Sequence, residues 1–231
     1  MSQNMNNQKT ITMVLAGVVA VSLSASLSAD IVYDNSTTAL GSQVSQAAGV
    51  TEFGDQVQLA GSANNHLALT DFSFQYVTAG ATVTGAAVLR IYDIDGTSIP
   101  GHNSPGTLLF DSTTIGTIPL QSGQNTVNIN GITGVNTSSS FIWTVSFSGL
   151  SAGETAGLPL YDPPTVGSSF KDFYEKSGGT WSLNLIDNGN TPANFAAQVG
   201  GVVIVPEPST IALGLIGLGS CLGYGFLRRR A

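Results

Sequence analysis

The chain has 231 residues, of which only 9% are charged, and its formal net charge at pH 7 is −7. The imbalance is larger between residues 30 and 205. Lys9, Glu207 and three arginines near the end of the chain account for the other charges, which leaves 13 acids against 3 bases in that range. Nucleic acids and anionic lipid surfaces are bound through Lys and Arg footprints. This composition excludes a nucleic-acid-binding function, and we expect no nucleic-acid partner.

Residues 1–29 have the pattern of a secretory signal peptide. Lys9 supplies the positive charge, and residues 11–21 are mostly apolar but too few to span a bilayer. Small residues follow this run. We therefore expect export through the Sec translocon and cleavage between Ala29 and Asp30.

Apolar and polar side chains alternate with period two in residues 72–76, 141–147 and 181–185. Side chains two apart lie on the same face of a strand, so each segment predicts a half-buried strand with its apolar face inward. Seven less regular runs also favour strands: 31–33, 56–59, 87–92, 107–111, 126–130, 156–160 and 195–205.

About ten short strands separated by turn residues predict an all-β fold, an antiparallel β-sandwich of jelly-roll type over residues 30–205. An immunoglobulin-like strand order stays open at this stage. The turn dipeptides contain residues that tolerate a positive φ: Asp95-Gly96, Pro105-Gly106, Asn130-Gly131 and Asn188-Gly189. The exported part has no cysteine, so its stability must come from the hydrophobic core.

No catalytic arrangement can be assembled from the sequence. Residues 149–153 fit the G-x-S-x-G pattern, but a hydrolase of that type needs an acid and then a histidine after its nucleophile. Both His66 and His102 precede Ser151, and neither has neighbours at the spacing of a zinc site. We expect a protein that is not an enzyme and that has no cofactor, apart from the calcium ion considered next.

Asp93, Asp95 and Gly96 resemble part of a calcium-binding loop, in which alternating carboxylates direct their oxygens to one cation. The remaining ligands of such a loop are missing, and an Asp-Gly turn after a strand explains the same residues. Asp111 could join the site if its strand lies alongside. The sequence thus leaves two interpretations, a simple turn or a Ca²⁺ site formed by Asp93, Asp95 and Asp111.

Tyr161, Tyr174 and Trp181 lie in a region that also carries Asp, Glu and Lys residues. Exposed aromatic rings beside carboxylates are typical of sugar-binding surfaces, because the ring faces contact sugar C–H groups. The alternative is that Trp181, which opens an alternating strand, belongs to the core. A glycan site at these three residues is therefore a hypothesis.

The tail has three parts: Val205-Pro206-Glu207-Pro208-Ser209, then an uncharged run that ends at residue 227, then Arg228-Arg229-Arg230. Residues 209–227 would form a helix of about 28 Å, close to the thickness of the bilayer hydrocarbon core. Flanking arginines are retained on the cytoplasmic side. We predict one transmembrane helix with its C-terminus in the cytoplasm.

This tail resembles the PEP-CTERM protein-sorting signal. In that family an integral-membrane transpeptidase, exosortase, recognises the tail and removes it during export. The resemblance implies a recognition element formed by Pro206, Glu207, Pro208 and Ser209. It also implies that three arginines fix the orientation and act as a stop signal: Arg228, Arg229 and Arg230.

The resemblance covers residues 205–231 and says nothing of the sandwich domain. It implies a transient inner-membrane anchor, followed by delivery to the cell surface or extracellular matrix, where the family is often associated with exopolysaccharide. We expect a structural or adhesive ectodomain with exosortase, and exopolysaccharide, as partners. The alternatives are a glycan- or calcium-binding module and an ectodomain that stays anchored in the membrane through its C-terminal helix.

Overall fold

The computed structural model describes residues 29–61, 66–80 and 83–204, and their regular structure is almost entirely strand. Two short 3₁₀ helices, Ser112–Thr114 and Asp187–Gly189, interrupt the strands. The strands of the described residues are, in chain order, β1 (Asp30–Asp34), β2 (Ala39–Ser45), β3 (Val50–Gln58), β4 (His66–Ala79), β5 (Ala86–Tyr92), β6 (Ser98–Ile99), β7 (His102–Asn103), β8 (Leu108–Asp111), β9 (Ile118–Pro119), β10 (Gly123–Asn130), β11 (Asn136–Thr137), β12 (Ser140–Ser148), β13 (Thr155–Tyr161), β14 (Ser168–Ser169), β15 (Asp172–Ser177), β16 (Thr180–Leu185) and β17 (Ala197–Ile204).

The first sheet is organised around β4, the longest strand. On one side β4 pairs with β10 and, further along, with β11. On its other side it pairs with β17 and β13, which follow each other along the same edge. One edge of the sheet is formed by β1, next to β17, and β2, next to β13, and the other edge is formed by β10 and β11. All of these pairings are antiparallel.

The second sheet has the order β16-β15-β3-β12-β5-β8. The short strand β14 joins the same edge of β3 as β15, and β9 joins the same edge of β5 as β8. The strands β6 and β7 form a separate small hairpin in the connection that leads along the chain from β5 to β8. These pairings are antiparallel too, so the all-β antiparallel prediction is confirmed.

The strand order is that of a jelly roll. Two strands that lie end to end along the same edge of a neighbouring strand are counted here as one row. The sandwich then has eight rows: β1/β2, β3, β4, β5, β8/β9, β10/β11, β12 and β13/β17. Numbered along the chain, the rows are arranged 1-8-3-6 in the first sheet and 2-7-4-5 in the second. Strands β14–β16 are an insertion between β13 and β17 that widens the second sheet beyond β3.

The core lies between the two sheets and is rich in aromatic rings. Phe72 and Phe74 of β4 contact Trp143 of β12 with ring centroids 5.3 and 6.1 Å apart, and Tyr76 contacts Phe147 at 6.3 Å. Trp143 is fully buried. Each large side chain buried in this way contributes roughly 1.5–3 kcal/mol. The core also contains Phe53 and Phe195, which meet edge to face at 5.9 Å.

Two of the three alternating segments are oriented as predicted. Residues 72–76 lie in β4 and residues 141–147 in β12, and their aromatic faces point into the core. The third prediction was wrong about the face. Trp181, Leu183 and Leu185 lie on the outer face of the second sheet, and Leu185 is 57% exposed.

The register of β15 explains this difference. Phe173 of β15 points into the core. Lys176 is three residues further along the strand, and because successive side chains alternate between faces, Lys176 points outward. Residues directly opposite each other in an antiparallel pair share a face. Trp181 is opposite Lys176, and Leu185 is opposite Asp172. The apolar side chains of β16 therefore lie on the outer face of the sheet.

The predicted turns divide into two kinds. Gly131 and Gly189 have φ of 72° and 84°, as expected. Gly96 and Gly106 do not have a positive φ; each sits where the chain passes close to itself, and a side chain on Gly106 would collide with the Asp95 carboxylate. At these two positions glycine is needed for close approach.

The predicted signal peptide, up to residue 28, and the sorting tail, from residue 205, lie outside the described residues. Ala29 and Asp30 are both exposed, and Asp30 begins β1, paired with Gly201. Within the part of the chain that the structure describes, no helix has the length and apolar character needed to cross a membrane.

Candidate functional site

A line of interacting side chains crosses the outer face of the second sheet. We call it the outer ladder. It has one member from each of six neighbouring strands, β16 to β8: Trp181, Lys176, Glu52, Thr144, Arg90 and Asp111. Strand pairing places Trp181 opposite Lys176, Lys176 opposite Glu52, and Arg90 opposite both Thr144 and Asp111.

Glu52 is the centre of the ladder and is only 3% exposed. Its carboxylate accepts hydrogen bonds from Lys176 Nζ at 2.9 Å, Arg90 Nη1 at 3.1 Å and Thr144 Oγ1 at 3.0 Å. Burial alone would raise the pKa of Glu52, but the hydrogen bonds and charges of Lys176 and Arg90 leave that pKa below its usual value. Arg90 also donates from Nε to Asp111 at 2.9 Å. The buried charge is therefore paired on two sides.

The ladder fixes the orientation of Trp181. The ammonium group of Lys176 lies 5.0 Å from the centroid of the indole, a cation–π contact. The ring of Tyr92 meets the indole edge to face at 5.8 Å, and the Tyr92 hydroxyl donates to Glu52. Trp181 is half-buried, so the rest of its ring is available to solvent.

Beside Trp181 is a cavity of about 560 Å³, which we call the hairpin cleft. One wall is the β6–β7 hairpin, with Ile99 and His102, and the floor is the outward stripe of β16 with Trp181, Leu183 and Leu185. Asp172 of β15 also lines it.

The hairpin is held in place by three contacts. Tyr174, which is fully buried, donates its hydroxyl to the carbonyl of Asn103 at 2.9 Å. His102 Nε2 lies 3.3 Å from Asp172 Oδ2, and the imidazole meets the ring of Phe170 edge to face at 5.0 Å. Burial raises the pKa of Asp172, and the charge of His102 opposes this rise.

The three aromatic residues of the glycan hypothesis do not form one surface. Tyr161 lies in β13 of the first sheet, is 7% exposed, and donates its hydroxyl to Gln75 Oε1 at 2.9 Å. Tyr174 is buried beneath the hairpin. Tyr161 and Trp181 line two different open cavities, one on each sheet, and only the cavity at Trp181 also contains a charged side chain, that of Asp172.

The three carboxylates of the calcium hypothesis have other partners. Asp93 accepts from the backbone N–H of Ile94 at 2.8 Å. Asp95 accepts two bonds of 2.6 Å from the hydroxyl and backbone N–H of Thr107, which lower the pKa of Asp95. Asp111 belongs to the outer ladder. Among the described residues, no group of three His, Cys, Asp or Glu side chains is placed to hold a metal ion.

A second buried carboxylate lies on the opposite face of the same sheet. Asp55 is fully buried between the sheets, opposite Trp143, and its Oδ2 accepts from the hydroxyl of Ser169 at 2.7 Å. In the described part of the chain no Lys or Arg forms an ion pair with it. Burial raises the pKa of Asp55 well above its usual value, and the bond from Ser169 only partly opposes this.

Sequence reasoning missed Glu52, Arg90 and the His102–Asp172 pair. One signal was present: Arg90 and Lys176 are two of only three bases between residues 30 and 205, and Arg90 stands inside an apolar run. An isolated cation in a predicted strand implies a buried or half-buried acid as its partner. Which acid pairs with the cation depends on the order of strands in the sheet, and the residues around the cation in the sequence do not determine that order.

Residues 205–230 match the family model of the PEP-CTERM protein-sorting motif. The resemblance seen in the sequence is therefore confirmed, and the motif starts directly after Ile204, the last residue of β17. It implies export and sorting to the cell surface, with exosortase as the processing partner. No curated protein and no solved structure matches the chain.

Proposed function

We propose that residues 30–204 form the mature domain of a structural or adhesive protein of the cell surface or extracellular matrix. The observation that carries this proposal is the junction at Ile204. The last strand of the jelly roll ends there and the sorting motif begins at residue 205. Processing within the motif would release the sandwich without removing a residue of any described strand.

The chemistry of the sandwich supports a structural role. The four charged groups of the outer ladder come from four strands, β15, β3, β5 and β8, and pair with one another, so they link these strands. Residues 30–204 contain no cysteine, so a domain with this aromatic core and these ion pairs does not depend on the redox state of its surroundings. We place it next to exopolysaccharide in the matrix.

Before release, the proposal places residues 209–227 across the inner membrane as a transient anchor. Arg228, Arg229 and Arg230 would keep the C-terminus in the cytoplasm, since cationic flanks resist translocation. Exosortase would then act at or near residues 206–208. A chain that is never processed would instead remain a membrane-anchored ectodomain.

The test replaces Pro206, Glu207 and Pro208 by alanine in the full chain and compares cell fractions of the producing bacterium. The proposal predicts that the unchanged protein reaches the surface or medium and that the variant stays in the inner membrane. Pro119→Ala, an exposed proline of edge strand β9, is the control and should be sorted normally. Normal sorting of the triple variant would contradict the proposal.

A further inference from the structure

We propose that the hairpin cleft binds neutral hexopyranose units of a polysaccharide. A pyranose has apolar C–H faces and a rim of hydroxyl groups, so its site needs an aromatic or apolar surface and a few hydrogen-bonding groups together. The cleft combines Trp181, Leu183 and Leu185 with the His102–Asp172 pair. Its volume of about 560 Å³ falls within the range of small-molecule sites.

Trp181 is the stacking surface. Its indole is already fixed by Lys176 on one side and by the ring of Tyr92, and Lys176 is in turn held by the buried Glu52. An aromatic ring that is ordered before binding loses little conformational entropy when a ligand arrives. The outer ladder therefore has a function beyond stability, since it presents Trp181 to the cleft.

Asp172 and His102 are the ionisable groups that line the cleft. Their side chains are 14% and 20% exposed, so both reach the cavity from a partly desolvated position. A carboxylate accepts hydrogen bonds from sugar hydroxyls, and an imidazole can donate to or accept from them. Leu185 is 57% exposed, which leaves the cleft open at the end of β16 for a longer chain to continue.

The charges select a neutral sugar. Neither lysine nor arginine lines the cleft, and the two cations of the ladder, Lys176 and Arg90, are already bound to Glu52. Asp172 and the 12 other acids between residues 30 and 205 would repel a uronic acid. This inference deepens the proposed adhesive function, but the binding measurement does not depend on sorting.

The experiment uses the full chain, purified in a detergent that has no sugar headgroup. Three neutral probes (cellohexaose, mannohexaose and a β-linked galactohexaose) and one anionic probe, hexagalacturonate, are titrated by calorimetry and by tryptophan fluorescence. The chain has two tryptophans, and Trp143 is fully buried, so a change in fluorescence reports on Trp181. We expect saturable binding of at least one neutral probe and binding of the anionic probe that is weaker by roughly tenfold or more, about 1.4 kcal/mol.

Variants separate stacking from general folding effects. Trp181→Ala should weaken neutral binding roughly tenfold or more, whereas Trp181→Phe should retain binding but lose the fluorescence change. His102→Ala, on the hairpin wall, provides a second test if Trp181→Ala does not fold. Tyr161→Phe, in the first sheet, is the control and should bind like the unchanged protein.

Any of three binding results, or one result on oligomeric state, would overturn the proposal. None of the three neutral probes binds, or hexagalacturonate binds as tightly as the best of them, or binding survives in folded Trp181→Ala and His102→Ala. A dimer that forms without sugar and is lost in Leu185→Ser would also overturn it, because a second copy would then occupy the cleft. Failure of the sorting proposal would appear separately, as normal secretion of the residue 206–208 variant.

Discussion

The two faces of the second sheet are formed by the same strands, but a buried carboxylate is ion-paired on the outer face and has no cationic partner among the described residues on the inner face. On β3, Glu52 points outward and Asp55 inward, three residues apart, and both are almost completely buried. Glu52 meets two cations and its pKa is lowered. Asp55 meets no cation among the described residues, and burial raises its pKa. Partners, and not burial alone, decide whether a buried carboxylate carries its charge.

The largest expected difference between the faces concerns the two tryptophans. Trp143→Ala opens a cavity among Phe72, Phe74 and Phe195 and should lower the free energy of unfolding by about 3–5 kcal/mol. Trp181→Ala on the half-buried outer face should lose only about 1 kcal/mol. Urea unfolding of both variants measures the difference. Equal losses would mean that the core does not lie where the structure places it.

Glu52→Gln comes next, because it leaves Lys176 and Arg90 around a neutral amide. Both cations are partly solvated, with side chains 29% and 26% exposed, so we expect a loss of about 2 kcal/mol at pH 7 rather than the larger values of fully buried pairs. Asp30→Asn, an exposed acid, is the control and should change stability by less than about 0.5 kcal/mol.

The pH dependence gives a sharper version of this test. Because the pKa of Glu52 is lowered in the folded protein, its stabilisation is present above the unfolded pKa and is lost as pH falls through the folded pKa. The difference between the unchanged protein and Glu52→Gln should therefore shrink in acid. A difference that stays constant down to pH 2 would contradict the charge pairing of Glu52.

Asp55 should show the opposite sign. Its folded pKa is raised, so the unfolded chain loses this proton first as pH rises, and stability falls from about pH 4, the ordinary Asp value, up to the raised pKa. Asp55→Asn should remove this part of the slope. Unfolding free energies of both proteins between pH 4 and 8 measure it, and an identical slope would show that Asp55 is charged in the fold.

The smallest predicted effect is that of Lys176→Gln. Lys176 is 29% exposed, and the buried Glu52 would keep Arg90 and Thr144 as partners, so the expected loss is about 0.5–1 kcal/mol. The indole of Trp181 would lose its cation–π contact, and we expect its fluorescence to become more solvent-sensitive while that of Trp143 does not change. Lys171→Gln, an exposed lysine, is the matched control. An effect of equal size in both variants would contradict the contact.

The sequence allowed the central strands to be predicted because residues 72–76 of β4 and 141–147 of β12 each place a row of large apolar side chains on one face. It failed for β16, because alternation shows that one face is apolar but not that this face is the inner one. It missed β2, an exposed edge strand without apolar alternation, whose residues form a strand only through pairing with β13.

For function, too, features that depend on neighbouring residues in the sequence could be predicted, and features that depend on strand pairing could not. The sorting motif is local, so its residues are adjacent in the sequence and can be read directly. The outer ladder and the hairpin cleft collect residues from 52 to 185, and their meeting depends on the jelly-roll order and on the inserted strands β14–β16. No local pattern connects His102 with Asp172 or Glu52 with Lys176.

The most direct test of the account is the intact mass of the protein recovered from its producing bacterium, with and without exosortase. We expect a chain that starts at Asp30 and ends at or near residues 205–209, and we expect this C-terminal end to depend on exosortase. A chain that still carries Arg228, Arg229 and Arg230 in both strains would contradict it and would indicate a permanent membrane anchor.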